Sequence, residues 1–170
     1  MAEQDEKSWW DEAQEWVHTQ ASEPDQQPVA VETDELTAEE LEQARWQAEL
    51  GEYIDSVCGH LKLEVDAAYQ QGNILLATSN TSTREEFEAF TGQCAALSVQ
   101  GYTAASQLVA AGVQEWVYSV KACNEVGHWA TSASGHAGSA ATSESPTEIH
   151  GFLGSAVEDL QHASASINGA

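Results

Sequence analysis

Apolar residues recur every three or four positions between residues 50 and 75, and this spacing constrains the fold more than any other feature of the chain. One face of an α-helix returns about every 3.6 residues, so the repeat predicts a long amphipathic helix. Thr37 and Glu40 precede it with the spacing of a capping box, which places the helix at about residues 38–78. The apolar repeat consists of Leu50, Ile54, Val57, Leu61, Val65, Ala68, Gly72 and Leu75.

Two further stretches carry the same helical spacing. Residues 83–131 are predicted to form one long second helix, whose middle is lined by glycine and alanine. A helix over residues 146–167 is predicted by its start signal: Ser145 is suited to the N-cap, Pro146 to the first helical position and Glu148 to the third helical position. Because strand signals are nearly absent, the predicted fold class is all-α. Long amphipathic helices would form a bundle or hairpin over residues 37–170.

Residues 1–36 differ from the rest of the chain and are predicted to form a flexible acidic arm. Residues 5–18 have the pattern of a short amphipathic helix, and residues 19–36 contain two of the three prolines without any apolar period, as linkers do. Tryptophans in such a helix could dock onto a partner or fold back onto their own bundle, and both alternatives remain open. The candidate docking residues are Trp9, Trp10 and Trp16.

The charge is extreme, with 28 acidic residues against five basic ones and a formal net charge of −23. Such a chain repels phosphate backbones and anionic lipid headgroups, so we expect no binding to nucleic acid. A halophilic host, a solubilising coat and docking onto a basic partner remain as explanations. Residues 1–55 contain 17 acids against two bases, whereas residues 56–170 contain 11 against three. This asymmetry favours a solvated or partner-seeking arm.

We expect a cytoplasmic protein without a membrane span. The uncharged stretch from Ala89 to Gln114 is long enough to cross a bilayer, but glutamine, serine and threonine interrupt it and basic anchors are missing. Met1 is followed by acidic residues and by no apolar segment, so no secretory signal is predicted. The three cysteines are far apart in the sequence and are interpreted as small buried residues in a reducing compartment. They are Cys58, Cys94 and Cys123.

Motifs for catalysis or metal binding are weak. Cys58 and His60 diverge on a helix, and Cys123 is five positions from His128, which is not the spacing of two ligands on one helical face. Glu125 and His128 form one Glu-x-x-His pattern where a di-iron bundle needs two. Phosphate-binding and nucleophile-elbow motifs are lacking. We therefore predict no catalytic residue, no metal, no cofactor and no enzyme activity.

Three segments follow one another over about residues 71–168, namely Asn73–Asn80, the Ala/Gln/Ser-rich helix from Phe87 to Leu108 and the Ser145–Glu148 helix start. In these segments the chain resembles the phasins, small helical proteins that coat intracellular polyhydroxyalkanoate granules. The resemblance implies a non-catalytic coat, located on granules, whose apolar stripes face the polyester or a partner helix while acids face the cytoplasm. No catalytic residue carries over from the family.

The stripe on the predicted second helix is the largest apolar surface that one helix presents, and it is the candidate site for a granule or a protein partner. Because small residues bury little area per helical turn, we expect the chain to gain stability as a homo-oligomer. Two alternatives remain, namely a helical subunit of a virion or other large assembly, and an acidic adaptor docking through its tryptophan helix. The stripe consists of Phe87, Phe90, Leu97, Leu108 and Trp116.

Overall fold

The computed structural model describes residues 37–169 and confirms the all-α prediction. Within these residues the chain forms four α-helices and no strand. The chain divides into two units at Glu39 and Glu40, and the described residues lie almost entirely in the second. The predictions for the arm, including Trp9, Trp10 and Trp16, lie outside the described residues. The helices are α1 (Ala38–Ala77), α2 (Arg84–Ala110), α3 (Tyr118–Thr142) and α4 (Pro146–Asn168).

Each helix runs antiparallel to the next, as the short connections 78–83, 111–117 and 143–145 favour. Two polar contacts between α2 and α3 show this antiparallel order. The hydroxyls of Ser98 and Thr131 lie 2.6 Å apart, and the Ser134 hydroxyl donates to the Thr91 carbonyl at 3.2 Å. The contact that is later on α3 is therefore earlier on α2. The helix α3 packs against both α2 and α4.

The helix α1 closes the bundle by packing against both α2 and α4. A Cβ atom added to Gly72 of α1 would lie 2.9 Å from the Phe90 ring of α2 and 3.0 Å from a methyl group of Val157 of α4. Towards the other end of α1, Lys62 donates a hydrogen bond to the Asn168 side chain, the last residue of α4. The four helices of the described chain therefore form an up-down-up-down bundle.

Small residues set the spacing between the helices of this bundle. The buried face of α3 consists mainly of alanine, so its neighbours approach its backbone closely. At the closest point a Cβ added to Gly101 of α2 would lie 2.5 Å from the backbone nitrogen of Gly127 of α3. The larger buried side chains come mostly from the other helices and include Leu61, Val65, Leu75, Phe87, Phe90, Leu97, Leu108, Leu153, Leu160 and Ile167.

The prediction of one helix over residues 83–131 is wrong, because residues 111–117 separate α2 from α3. The chain leaves α2 at Gly112, whose φ of 96° is a left-handed conformation that glycine adopts without a Cβ penalty. Gly112 donates to the Val109 carbonyl and Val113 donates to the Leu108 carbonyl, both at 3.0 Å. These two bonds form a Schellman motif, which ends the helix and leaves Val113 buried. The following helix then continues to Thr142, beyond the predicted end.

The predicted starts of α2 and α4 agree with the structure. The Thr83 hydroxyl accepts a hydrogen bond from the Glu86 amide at 3.3 Å, and the Glu86 carboxylate accepts one from the Thr83 amide at 2.6 Å. Ser145 caps α4 by accepting from the Glu148 amide at 3.4 Å, with Pro146 in the first turn. Each cap supplies a partner for an amide that the helix itself leaves unpaired.

Replacing the cap of α2 should measurably weaken the bundle. We expect Thr83→Ala to lower the free energy of unfolding by about 1 kcal/mol, because the Glu86 amide loses the Thr83 hydroxyl as its partner. Urea denaturation followed by circular dichroism measures this difference. Ser106→Ala, an exposed substitution inside the same helix, should cost no stability since alanine has the higher helix propensity. Equal losses in the two variants would contradict the capping role.

Candidate binding surface

Four residues of the predicted apolar stripe lie in the core of the bundle. Phe87, Phe90, Leu97 and Leu108 are all at most 4% exposed, because α2 turns this face towards the other helices. In the folded bundle they have no surface that could meet a granule or a partner. These four residues could therefore bind an external surface only if the bundle opens, and such binding stays a prediction.

Trp116 is the member of the predicted stripe that lies on the surface. Its side chain is 72% exposed, and it lies in the connection 111–117 and not on a helix. Together with Val109, Gly112 and Val113 it lines a shallow pocket at this end of the bundle. Trp46 of α1 lies nearby, since its ring would be 3.9 Å from a Cβ on Gly112, and it is 54% exposed. We call Trp46 and Trp116 the tryptophan pair.

A groove of about 400 Å³ separates α1 from α2 further along the same two helices. Its walls are mainly apolar, and among its described lining residues no aspartate, glutamate, lysine or arginine occurs. Val99 is its most exposed apolar member, with 65% of its surface accessible. In a chain with 28 acids such an uncharged stretch is unusual. The lining residues are Ser56, Val57, His60, Leu61, Val99, Gln100, Thr103, Ala104 and Gln107.

The groove could not be found from the helical repeat. Val99, Gln100 and Thr103 lie outside the apolar stripe of α2, and Ser56 and His60 lie outside that of α1. Each helix alone therefore gives no indication that these positions would face one another. Only the antiparallel alignment of the two helices brings them together.

A second arrangement with chemical potential joins α3 to α4. His136 Nδ1 lies 2.9 Å from Asp159 Oδ2, and Asp159 is buried. A histidine held by a buried carboxylate is also the base of many nucleophilic sites. Here burial and the nearby Asp159 carboxylate raise the pKa of the Cys94 thiol to about 12, and Cys94 is fully buried. Because the thiolate is the nucleophilic form, Cys94 is unsuited to attack a substrate.

All three cysteines are buried and free, as small core residues are expected to be. An interaction with the Cys123 thiol lowers the pKa of Cys58. Among residues 37–169, no group of three or more histidine, cysteine, aspartate and glutamate side chains could hold a metal ion.

Two global properties bear on where such a surface could act. No helix in the described part of the chain is long and apolar enough to cross a membrane. No protein-family model, no curated protein and no solved structure matches the chain. The resemblance to phasins therefore stays a prediction, and function is inferred from the residues of the bundle themselves.

Proposed function

We propose that this protein is a non-catalytic coat protein that binds an uncharged, hydrophobic surface, as phasins do on polyhydroxyalkanoate granules. The observation that carries the proposal is the groove between α1 and α2, whose lining contains no aspartate, glutamate, lysine or arginine. The groove and the tryptophan pair both expose apolar side chains, and Glu115 is the carboxylate that lines the pocket beside Trp116. A cytoplasmic, granule-associated location goes with this proposal.

The energetics favour an apolar ligand surface over a charged one. Covering a large apolar side chain contributes about 1.5–3 kcal/mol, so both tryptophans and Val99 together could hold the protein on a polyester without charge attraction. The acidic groups elsewhere would face water, and their mutual repulsion would keep coated particles apart. This division of the surface is what a coat requires.

The buried stripe of α2 offers this coat a second mode of binding. If the bundle opens on a granule, Phe87, Phe90, Leu97 and Leu108 exchange contacts with other helices for contacts with the polyester. The alanine-rich face of α3 favours such an exchange, because small side chains contribute little burial when they leave their neighbours. Binding in the closed form needs only the groove and the tryptophan pair.

Granule binding should depend on the tryptophan pair and not on exposed apolar residues in general. We expect the double variant Trp46→Glu and Trp116→Glu to lose at least about tenfold in affinity for poly(3-hydroxybutyrate) granules, because two apolar contacts are replaced by charges. Co-sedimentation of purified protein with granules measures the bound fraction.

The matched control introduces the same two charges at other exposed apolar sites. Leu63→Glu combined with Ile74→Glu replaces residues that are 67% and 56% exposed on α1 and that do not line the groove. This variant should sediment with granules like the parent chain. Equal release of both double variants would refute a localised binding surface. A parent chain that never sediments with granules but elutes as a defined oligomer would instead favour the assembly-subunit alternative.

A further inference from the structure

The shallow pocket beside the tryptophan pair differs from the groove in its charge. It has a volume of about 340 Å³ and is formed by the end of α2 and the connection 111–117. Its described lining residues include one glutamate and no lysine or arginine, so an apolar wall is combined with a negative charge. The lining residues are Val109, Gly112, Val113, Gln114, Glu115 and Trp116.

Two exposed indole rings lie at this pocket. Trp116 lines it directly, whereas Trp46 of α1 lies next to one of its lining residues, 3.9 Å from a Cβ added to Gly112. Because Gly112 has no side chain, nothing from that position separates the Trp46 ring from the pocket. The face of an indole ring carries negative partial charge and attracts cations, more strongly than the ring of tyrosine or phenylalanine does.

Glu115 adds a full negative charge to these aromatic walls. It is exposed and takes part in none of the ion pairs formed among residues 37–169. The net charge of −23 raises the concentration of cations near the whole surface. An uncharged ligand inside the pocket would remove water from the carboxylate without replacing it, which costs free energy. The chemistry of the pocket therefore favours an organic cation.

We propose that this pocket binds a quaternary ammonium group, with Trp46 and Trp116 contacting its methyl groups and Glu115 balancing its charge. Such a group has no N–H that needs a hydrogen-bond acceptor. Its charge is spread over methyl groups, so it leaves water more readily than the compact, strongly hydrated ammonium of lysine. The site goes beyond the proposed coat function and does not rest on it, because a dissolved cation reaches the pocket without a granule.

Choline chloride is the probe that tests this proposal on the full-length chain. In an NMR titration of the isotope-labelled protein, the indole N–H signals are assigned by Trp46→Phe and Trp116→Phe. Both signals should shift together, with half-saturation at roughly 1–10 mM choline, as expected of an exposed aromatic cation site. The signal of Trp129, which is half-buried and stacked on His162 with ring centroids 4.7 Å apart, should stay in place.

Three variants separate the aromatic contribution from the charge. Trp116→Leu should weaken choline binding by at least about fivefold, because leucine stays apolar but lacks the indole face. Glu115→Gln should weaken it by about two- to threefold, as expected of an exposed charge pair. Glu125→Gln removes one charge at an exposed site of α3 that does not line the pocket, and it should bind choline like the parent. All three positions are exposed, so the helical signal in circular dichroism should be unchanged.

Two matched titrations decide the outcome. The uncharged carbon analogue of choline, in which a tert-butyl group replaces the trimethylammonium group, should bind at least about tenfold more weakly, and sodium chloride should not reproduce the shifts. Equal binding of the analogue would overturn the proposal in favour of a merely apolar pocket. Equal shifts with sodium chloride, unchanged binding by Trp116→Leu or no shift with choline would overturn it as well. Since no granule is present, each of these results leaves the coat proposal untouched.

Discussion

The double substitution Phe90→Glu and Leu97→Glu should unfold the bundle. Both side chains are at most 2% exposed, and the Phe90 ring packs against Gly72 of α1, where a carboxylate would have no partner. Loss of burial costs about 1.5–3 kcal/mol for each residue. Burial of two unpaired charges adds several kcal/mol more. The sum exceeds the lower part of the about 5–15 kcal/mol that typically holds a domain folded.

Circular dichroism and size-exclusion chromatography measure the outcome. We expect the variant to lose most of its helical signal and to elute as an expanded chain. Val99→Glu is the matched control, because Val99 lies on the same helix but is 65% exposed in the groove, and it should keep the helical signal. A double variant that remains fully helical would show that Phe90 and Leu97 are not core residues. In that case the α2 stripe would lie on the outer surface of the bundle.

Gly101→Ala should have a large effect for a substitution that adds a single methyl group. Its Cβ would lie 2.5 Å from the Gly127 nitrogen and 2.8 Å from the Cys123 carbonyl oxygen, and both are backbone atoms that cannot turn aside. The helices α2 and α3 would have to separate along their contact. We expect a loss of about 3 kcal/mol in the free energy of unfolding, measured by urea denaturation.

Gly92→Ala on the same helix should raise the free energy of unfolding, whereas Gly101→Ala should lower it. Gly92 is exposed, and an added Cβ would meet nothing within 4 Å. Because alanine restricts the unfolded chain and has the higher helix propensity, we expect a gain of about 0.5–1 kcal/mol. The two variants make the same chemical change on one helix and differ only in the space available. If both stabilise the protein, α2 and α3 are not in backbone contact at Gly101.

The helices with strong local signals could be predicted from the sequence. The repeat from Leu50 to Leu75 predicts α1, and the Ser145 cap predicts the start of α4. The predicted start of the second helix at residue 83 lies one residue before the observed start of α2. These signals depend on nearest neighbours along the chain, so no tertiary contact is needed to interpret them. The extent of α1 towards its start follows from the same local rules.

The break between α2 and α3 was missed although its signal is local. Gly112 continues the small and apolar spacing of the stripe, so the period alone does not distinguish a packing glycine from a terminating one. The Gly112–Val113 pair has the order of a Schellman ending, with a hydrophobic residue after the glycine. Weighing that pair against the period would have placed the helix end correctly.

Burial of the α2 stripe could not be predicted in the same way. A helical period shows that a face is apolar but not whether other helices or an external surface covers it. That answer depends on how four helices align, which is set by tertiary packing between residues far apart in the chain.

The alanine-lined face of α3 constrains which substitutions the bundle can accept during evolution, whereas its acidic outer surface is free to vary. Ala130, Ala133 and Ala137 are wholly buried, and every replacement except glycine enlarges the side chain. Apart from glycine, inherited variation at these positions therefore widens the bundle unless a smaller residue on the facing helix makes room for the larger side chain. Divergent descendants of this chain would be expected to change α3 in compensating pairs, while their acidic outer surface drifts independently.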